Sequence, residues 1–133
     1  MESLLIDETT SDRTVTDLTA EVASFCRDRG DGLVHVFAPH ATAGVGVMEV
    51  GSGSESDVAV AIRRLLPRDD RYRHRHGEEG HGADHVLPVF VSPSVVLPVL
   101  GGRLELGTWQ SVVLVDTNPD NPHRSVRLSF VPA

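Results

Sequence analysis

The sequence predicts a compact α+β fold in which a mixed, largely antiparallel sheet packs with two helices. In the first half, short β-branched runs alternate with two helical patterns of apolar residues. In the second half, several strand patterns follow one another, which favours antiparallel pairing over a doubly wound parallel sheet. A chain of 133 residues is long enough for one hydrophobic core, so we expect a single domain over residues 1–133.

The first third of the chain is predicted to form a strand, a helix and two further strands. The first strand covers residues 4–8, and the chain then turns near Ser11–Asp12. Thr19 can cap the following helix, and Gly30 ends it because glycine adopts the left-handed conformation that closes helices. Two β-rich runs follow, at 33–38 and 43–48.

The middle of the chain is predicted to contain one helix and a long irregular stretch. Ser54 or Ser56 can cap the helix, and Pro67 ends it. Residues 68–84 are polar and rich in glycine and histidine, which favours a loop. The apolar stretch 86–99 is interrupted by three prolines, so no long helix is expected there.

The last third is predicted to contain strands joined by short turns. The Asn-Pro-Asp-Asn-Pro run at 118–122 is typical of a turn. The strand patterns are 104–106, 108–116 and 125–131.

Charge and composition exclude several functions. The formal net charge is −7, which argues against nucleic-acid binding, and the absence of lysine excludes Schiff-base catalysis and a P-loop lysine. Six arginines lie within residues 63–75; we interpret most of them as solvated, although an anion site is the alternative.

No apolar run approaches the ~20 residues of a membrane span, and the acidic first residues do not resemble a secretory signal, so a cytoplasmic protein is expected.

Histidines are the strongest candidates for site chemistry. Four of the seven lie within twelve residues, and neutral imidazole is a common ligand of zinc and similar metals. A solvated histidine-rich loop is the alternative, because the spacing itself is weakly specific. The four are His74, His76, His81 and His85.

Other candidates lie at the predicted strand ends, where functional side chains often collect. His40 lies between two strands, and Glu49 follows the second of them. The guanidinium of Arg124 could bind a ligand anion or pair with Asp116 or Asp120.

The run 101–110 contains the only tryptophan and precedes the strongest strand pattern. Thr108, Trp109 and Gln110 together suit recognition of a small polar ligand, since the indole and the amide both need polar partners.

Several of these segments resemble the YjbQ-like family, also called the secondary thiamine-phosphate synthase family. The run 102–110, Gly-Arg-Leu-Glu-Leu-Gly-Thr-Trp-Gln, is similar to a signature of that family. The other similar segments are His40-Ala41-Thr42-Ala43 with Glu49, Tyr72-Arg73-His74, His85 and Arg124. This sequence departs from the family pattern at Met48, Asp84 and Pro88.

The resemblance implies a compact α+β homotrimer that binds a divalent metal ion, with zinc as the candidate. It further implies a weak thiamine-phosphate synthase activity, which joins hydroxymethylpyrimidine diphosphate to a thiazole phosphate. The implied metal ligands are His40, His74 and His85. The implied catalytic residues are His40, Glu49 and His85. The implied substrate-binding residues are Thr42, Thr108, Trp109, Gln110 and Arg124.

Three interpretations follow from this sequence. The first is a metal-dependent enzyme of the thiamine-phosphate synthase type. The second is a non-catalytic trimer that binds a metal or a small anionic metabolite. The third, a structural domain with fortuitous histidines, ranks last because the matched segments extend along the chain.

Overall fold

A computed structural model describes residues 1–10 and 13–133, so the turn predicted near Ser11–Asp12 lies outside the described residues. The described residues form eight strands and three helices. The strands are β1 (Glu2–Thr9), β2 (Val15–Asp17), β3 (Gly32–Phe37), β4 (Ala43–Met48), β5 (Ser94–Leu100), β6 (Arg103–Leu104), β7 (Ser111–Asp116) and β8 (His123–Pro132). The helices are α1 (Thr19–Cys26), α2 (Ser54–Leu65) and α3 (His81–Val91).

The strands form two sheets, and the α+β prediction is confirmed. One sheet has the order β1-β8-β3-β5-β6, and the other has the order β2-β7-β4. Every strand pair among the described residues is antiparallel, although a mixed sheet was expected. In the larger sheet, β8 pairs with both β1 and β3.

The main hydrophobic core lies between the two sheets. Val34 and Val36 alternate with outward-facing residues along β3, so their side chains share one face of the larger sheet. They belong to one buried cluster with Leu114 of β7, Leu128 of β8 and Val22 of α1.

A second hydrophobic cluster attaches the helical region to the smaller sheet. Val113 and Val115 alternate with Leu114 along β7 and therefore face the opposite side, where they pack with Leu66 and Leu87. This packing places α3 against the smaller sheet, and α3 carries part of the candidate site.

Helix α3 was not predicted from the sequence, which indicated a loop over 68–84 and no long helix beyond it. The helix contains Pro88, which cannot donate a hydrogen bond to the carbonyl one turn earlier. Burial of Ala83 and Leu87 against the smaller sheet offsets that loss. Tertiary packing therefore outweighs the local signal of the proline.

Some predicted boundaries also differ from the structure. Helix α1 has no side-chain cap, because the Thr19 hydroxyl instead donates to Asp17 (2.6 Å) and accepts from the Val112 N–H (2.9 Å). It ends at Cys26 rather than near Gly30. Strand β5 occupies part of the proline-interrupted stretch, and β7 begins at Ser111 rather than at residue 108.

No helix in residues 1–10 and 13–133 combines the length and the apolar character that a membrane crossing requires.

Candidate functional site

Four imidazoles meet at the start of α3 and form what we call the four-histidine cluster. One ligand nitrogen from each ring lies within 4.8 Å of the others. The Nε2 atoms of His81 and His85 are 3.0 Å apart, and the ring centroids of His74 and His85 are 4.0 Å apart. The cluster consists of His74, His76, His81 and His85.

The cluster combines a helix turn with the extended segment that precedes it. His81 and His85 lie four residues apart on α3, so both point to one side of the helix. Gly82 allows the preceding segment to approach, because a Cβ there would lie 2.4 Å from the Tyr72 Cβ and 2.8 Å from the His74 carbonyl oxygen. The Tyr72 hydroxyl donates to the Pro67 carbonyl (2.8 Å) and fixes the segment.

Two carboxylates lie behind the cluster. Asp84 is fully buried, and its Oδ1 accepts hydrogen bonds from Arg68 (2.5 Å) and from the Thr117 hydroxyl (2.7 Å). The Nδ1 of His81 lies 3.2 Å from the Asp120 Oδ2 and 3.5 Å from the Asp84 Oδ2. This Nδ1 and the Asp84 Oδ2 are both enclosed and have no hydrogen bond.

The electrostatic environment favours neutral imidazoles in the cluster. Burial lowers the pKa of His85, and the nearby His74 and His81 lower it further. Desolvation and then the charges of His76 and His81 lower the pKa of His74 in the same direction. Neutral imidazole has a free nitrogen lone pair, which is the form that binds metal ions.

An acid-lined cavity of about 350 Å³ adjoins the cluster. His74 and His81 form part of its wall, and the lining contains four acidic residues and one arginine, Arg75. Because the acidic residues outnumber the arginine, the lining has a negative formal charge, which concentrates cations. The surroundings of the cluster therefore favour a cation.

A second polar region, which we call the arginine–aspartate network, lies where β7 meets β8. Arg124 is buried and donates to both carboxylate oxygens of Asp116, at 2.6 and 3.0 Å. Arg124 also donates to the Thr42 hydroxyl (2.8 Å), to which Asn118 donates in turn (3.1 Å). The Thr10 hydroxyl donates to Asp116 (2.7 Å). Arg124 thus forms the ion pair with Asp116 that the sequence offered as an alternative to anion binding.

His40 lies beside this network and is not a member of the four-histidine cluster. Its Nε2 is 3.0 Å from the Ser125 N–H and 3.1 Å from the Ser125 carbonyl oxygen, so the main chain of Ser125 engages that nitrogen in either tautomer. Burial lowers the pKa of His40, and the charge of Arg124 lowers it further. The structure thus brings His74 and His85 together but does not bring His40 to them.

The remaining predicted site residues lie at the other end of the smaller sheet. In the β4–β7 ladder, Ala43 pairs with Asp116 and Met48 pairs with Ser111. Ser111 and Asp116 are five residues apart along β7, about 17 Å at roughly 3.4 Å per residue, and Glu49 and Gln110 lie beyond the Ser111 end. Thr108, Trp109 and Gln110 are exposed, and the exposed fraction of Trp109 is 73%.

The sequence marked all four histidines of the cluster as potential ligands, but the ligand set implied by the resemblance omitted His81. His81 lies one helical turn from His85. That i, i+4 spacing could have identified it if α3 had been predicted. Asp84 lies three residues after His81 on the same helix, so its contact also required prediction of α3, whereas tertiary packing brings Asp120 to His81.

Fold and site together define a small two-sheet α+β protein with a histidine cluster held against its smaller sheet. The family model described as "UPF0047 protein YjbQ-like" matches residues 4–133. The chain belongs to this YjbQ-like family, as the sequence motifs indicated.

Similar proteins support the assignment across the whole length of the chain. A UPF0047 protein of Mycobacterium tuberculosis is 60% identical over 131 residues, which cover 98% of each chain. The crystal structure of a hypothetical protein from Aeropyrum pernix matches with a TM-score of 0.88 at 32% identity and covers 100% of both chains. A protein from Sulfolobus solfataricus, described as being of unknown function, shares the fold, with a TM-score of 0.87 at 21% identity over 99% of both chains.

Proposed function

We propose that the four-histidine cluster binds a divalent transition-metal ion, with zinc as the first candidate. The convergence of four ligand nitrogens within 4.8 Å carries this proposal. Tetrahedral ligands at Zn–N distances of about 2.0–2.1 Å lie roughly 3.3 Å apart, which is close to the 3.0 Å between the Nε2 atoms of His81 and His85. The donor set is also suitable, because imidazole binds zinc, copper, iron and nickel.

Elemental analysis of untagged protein, purified without chelators, tests metal binding. We expect near-stoichiometric transition metal in the wild type, and its loss in His85→Ala. His123→Ala is the matched control, because His123 is exposed and lies outside the cluster. Metal-free wild-type protein after incubation with zinc would contradict the proposal, and so would equal retention in all three proteins.

We further propose a metal-dependent enzyme of the thiamine-phosphate synthase type. In this reaction the thiazole phosphate attacks the pyrimidine methylene carbon, the bond from that carbon to oxygen breaks, and diphosphate leaves with the electron pair. A bound metal ion would supply positive charge for the diphosphate. The exposed indole of Trp109 offers a flat surface on which a pyrimidine or thiazole ring can stack.

The chain's own residues would mainly position the substrate. The Gln110 Oε1 accepts from the Gly107 N–H (2.8 Å), which holds the turn that carries Trp109. The hydroxyl of Thr108 is exposed, so it can bind a polar group of the substrate. The guanidinium of Arg124 is buried and donates to Asp116, so it joins the end of β7 to the start of β8.

A steady-state assay tests the enzymatic proposal. We expect slow formation of thiamine phosphate by the metal-loaded protein, and a lower rate in Trp109→Ala with unchanged metal content. If the metal-replete protein shows no turnover while a positive control works, the enzymatic proposal is wrong and the non-catalytic metal-binding alternative remains.

A homotrimer is the assembly that we propose. The Trp109 turn and the network beside His40 lie at opposite ends of β7, which spans about 17 Å, so a site that combines them would need a second copy. The outer face of the larger sheet carries exposed apolar residues that a partner can cover, including Leu33 (46% exposed) and Val96 (57% exposed).

Light scattering coupled to size-exclusion chromatography measures the assembly directly. The expected mass is three times that of the 14.4 kDa chain. Val96→Glu should reduce this mass if the face is buried between copies, because the charge would lose its hydration there. Glu2→Gln, on the exposed edge strand, is the control; a monomeric wild type would disprove the trimer.

A further inference from the structure

His81 differs from the other members of the cluster in what lies behind its ring. It is buried, with 7% of its surface exposed, and its Nε2 faces the Nε2 of His85 at 3.0 Å. Its second nitrogen, Nδ1, faces the Asp120 Oδ2 at 3.2 Å and the Asp84 Oδ2 at 3.5 Å. One nitrogen therefore points into the cluster while the other points at two carboxylates.

The hydrogen bonding of Asp84 leaves one oxygen available to His81. Arg68 and Thr117 both donate to Oδ1, whereas the buried Oδ2 receives no hydrogen bond. The His81 Nδ1 is likewise buried without a hydrogen bond. Two enclosed polar atoms, one able to donate and the other able to accept, thus face each other at 3.5 Å.

We propose that Asp84 and Asp120 are positioning residues that keep the proton of His81 on Nδ1. Nδ1 keeps the proton because the two carboxylate acceptors lie on its side of the ring. The partner of one imidazole nitrogen determines which of the two nitrogens is protonated. The Nε2 lone pair then faces the other three imidazoles, and His81 is a metal ligand. This inference rests on the proposed metal site and assigns the residues that orient one of its ligands.

A fourth imidazole changes the character of the proposed site. Four neutral imidazoles leave the full charge of a divalent ion uncompensated, and the carboxylates behind His81 partly balance it. Four protein ligands also fill a tetrahedral shell, so the ion would contact the diphosphate of the proposed reaction only by expanding to five-coordination. We therefore expect the Asp84–His81–Asp120 arrangement to increase metal retention.

Cobalt(II) binding, followed by its visible absorption spectrum, tests this proposal. We choose Asp120→Ala because Asp120 lies at the surface turn, whereas changing Asp84 would also break its ion pair with Arg68. We expect about 10–100-fold weaker cobalt binding and a weaker tetrahedral absorption band. Asp120→Asn should recover part of the affinity, because its amide oxygen can still accept from Nδ1. Asp57→Ala is the control for loss of an exposed carboxylate.

The double variant His81→Ala/Asp120→Ala separates positioning from general charge. If Asp120 acts through His81, its loss has no further effect once His81 is absent. Additive losses of affinity would overturn the proposal, and so would unchanged affinity in Asp120→Ala. Wild-type protein that binds no cobalt would disprove the metal site as well, whereas wild-type binding that is insensitive to Asp120 would disprove only the positioning role.

Discussion

The four-histidine cluster and the arginine–aspartate network share one connection but use their polar atoms in opposite ways. Along the β7–β8 connection, Asp116 and Asn118 bond to the network, whereas Thr117 and Asp120 face α3 and the cluster. Among the described residues, no buried side-chain polar atom of the network lacks a hydrogen bond. The cluster region, in contrast, contains the His81 Nδ1 and the Asp84 Oδ2, which face each other at 3.5 Å without a hydrogen bond.

This difference separates polar groups that stabilise the fold from groups that remain available to a ligand. Arg124 and Asp116 neutralise each other, and neighbouring hydroxyls occupy their remaining hydrogen-bonding positions. The imidazoles of the cluster mainly face one another, and the Nε2 atoms of His81 and His85 lie 3.0 Å apart. Substitutions in the network should therefore chiefly affect stability, whereas substitutions in the cluster should chiefly affect metal binding.

The largest difference is expected between Arg124→Ala and His85→Ala. Arg124→Ala leaves Asp116 buried without its counter-charge, so the free energy of unfolding should fall by about 3–5 kcal/mol. For the metal-free protein, His85→Ala should cost about 1 kcal/mol or less, because its ring is half-buried. Urea unfolding of metal-free proteins measures both values, and equal losses would remove the distinction between the regions.

A matched pair of threonines provides a sharper comparison. The Thr10 hydroxyl donates to Asp116 and the Thr117 hydroxyl donates to Asp84, each at 2.7 Å. Valine at either position removes a hydrogen bond to a charged group and should cost about 1.5–3 kcal/mol. Only Thr117→Val should also weaken metal binding, because Asp84 lies behind His81. Calorimetric titration with zinc would reveal this difference, and equal affinities of the two variants would contradict it.

Gly82→Ala tests the packing that brings the two halves of the cluster together. The added methyl would overlap Tyr72 and the His74 carbonyl, so we expect a loss of about 1–3 kcal/mol and reduced metal content. Gly46→Ala is the control, since its methyl would meet only Val113, at 3.9 Å. Thermal unfolding and elemental analysis of the two variants provide the comparison; normal metal content in Gly82→Ala would show that close approach is not required.

The smallest expected effect is a pH dependence near the network. Because the folded-state pKa of His40 is lowered below 6.5, the unfolded chain binds a proton there more readily as the pH falls. The part of the free energy of unfolding that is linked to His40 is therefore largest above pH 6.5. It is lost as the pH falls from 6.5 to the lower folded-state pKa. His40→Gln should therefore lose less stability than the wild type between pH 7 and pH 5. Urea unfolding across this range tests the difference, and parallel profiles would contradict it.

The fold class could be predicted from the sequence because the two-residue alternation of apolar side chains and the content of β-branched residues indicate most strands directly. Val34 and Val36 alternate with outward-facing neighbours, and the β7 pattern is equally clear. Helix α3 escaped prediction because Pro88 is a strong local signal against a helix, whereas the favourable packing of Leu87 depends on distant residues.

Prediction of the candidate site was limited for the same reason. Four histidines close together in sequence could be recognised as potential ligands, but their convergence depends on the approach permitted by Gly82. The separation of His40 from the cluster depends on Ser125, which is 85 residues away in sequence. Asp120 likewise reaches His81 only through tertiary structure, whereas Asp84 lies beside it through their i, i+3 spacing on α3.

The position of β8 has a consequence for synthesis on the ribosome. Although β8 follows the other described strands in the sequence, it lies inside the larger sheet, between β1 and β3. Until residues 123–132 emerge, β1 has no strand partner and one edge of β3 remains exposed. The nascent chain therefore carries unpaired strand edges until β8 is made, and nascent strands on neighbouring ribosomes can pair with them before then.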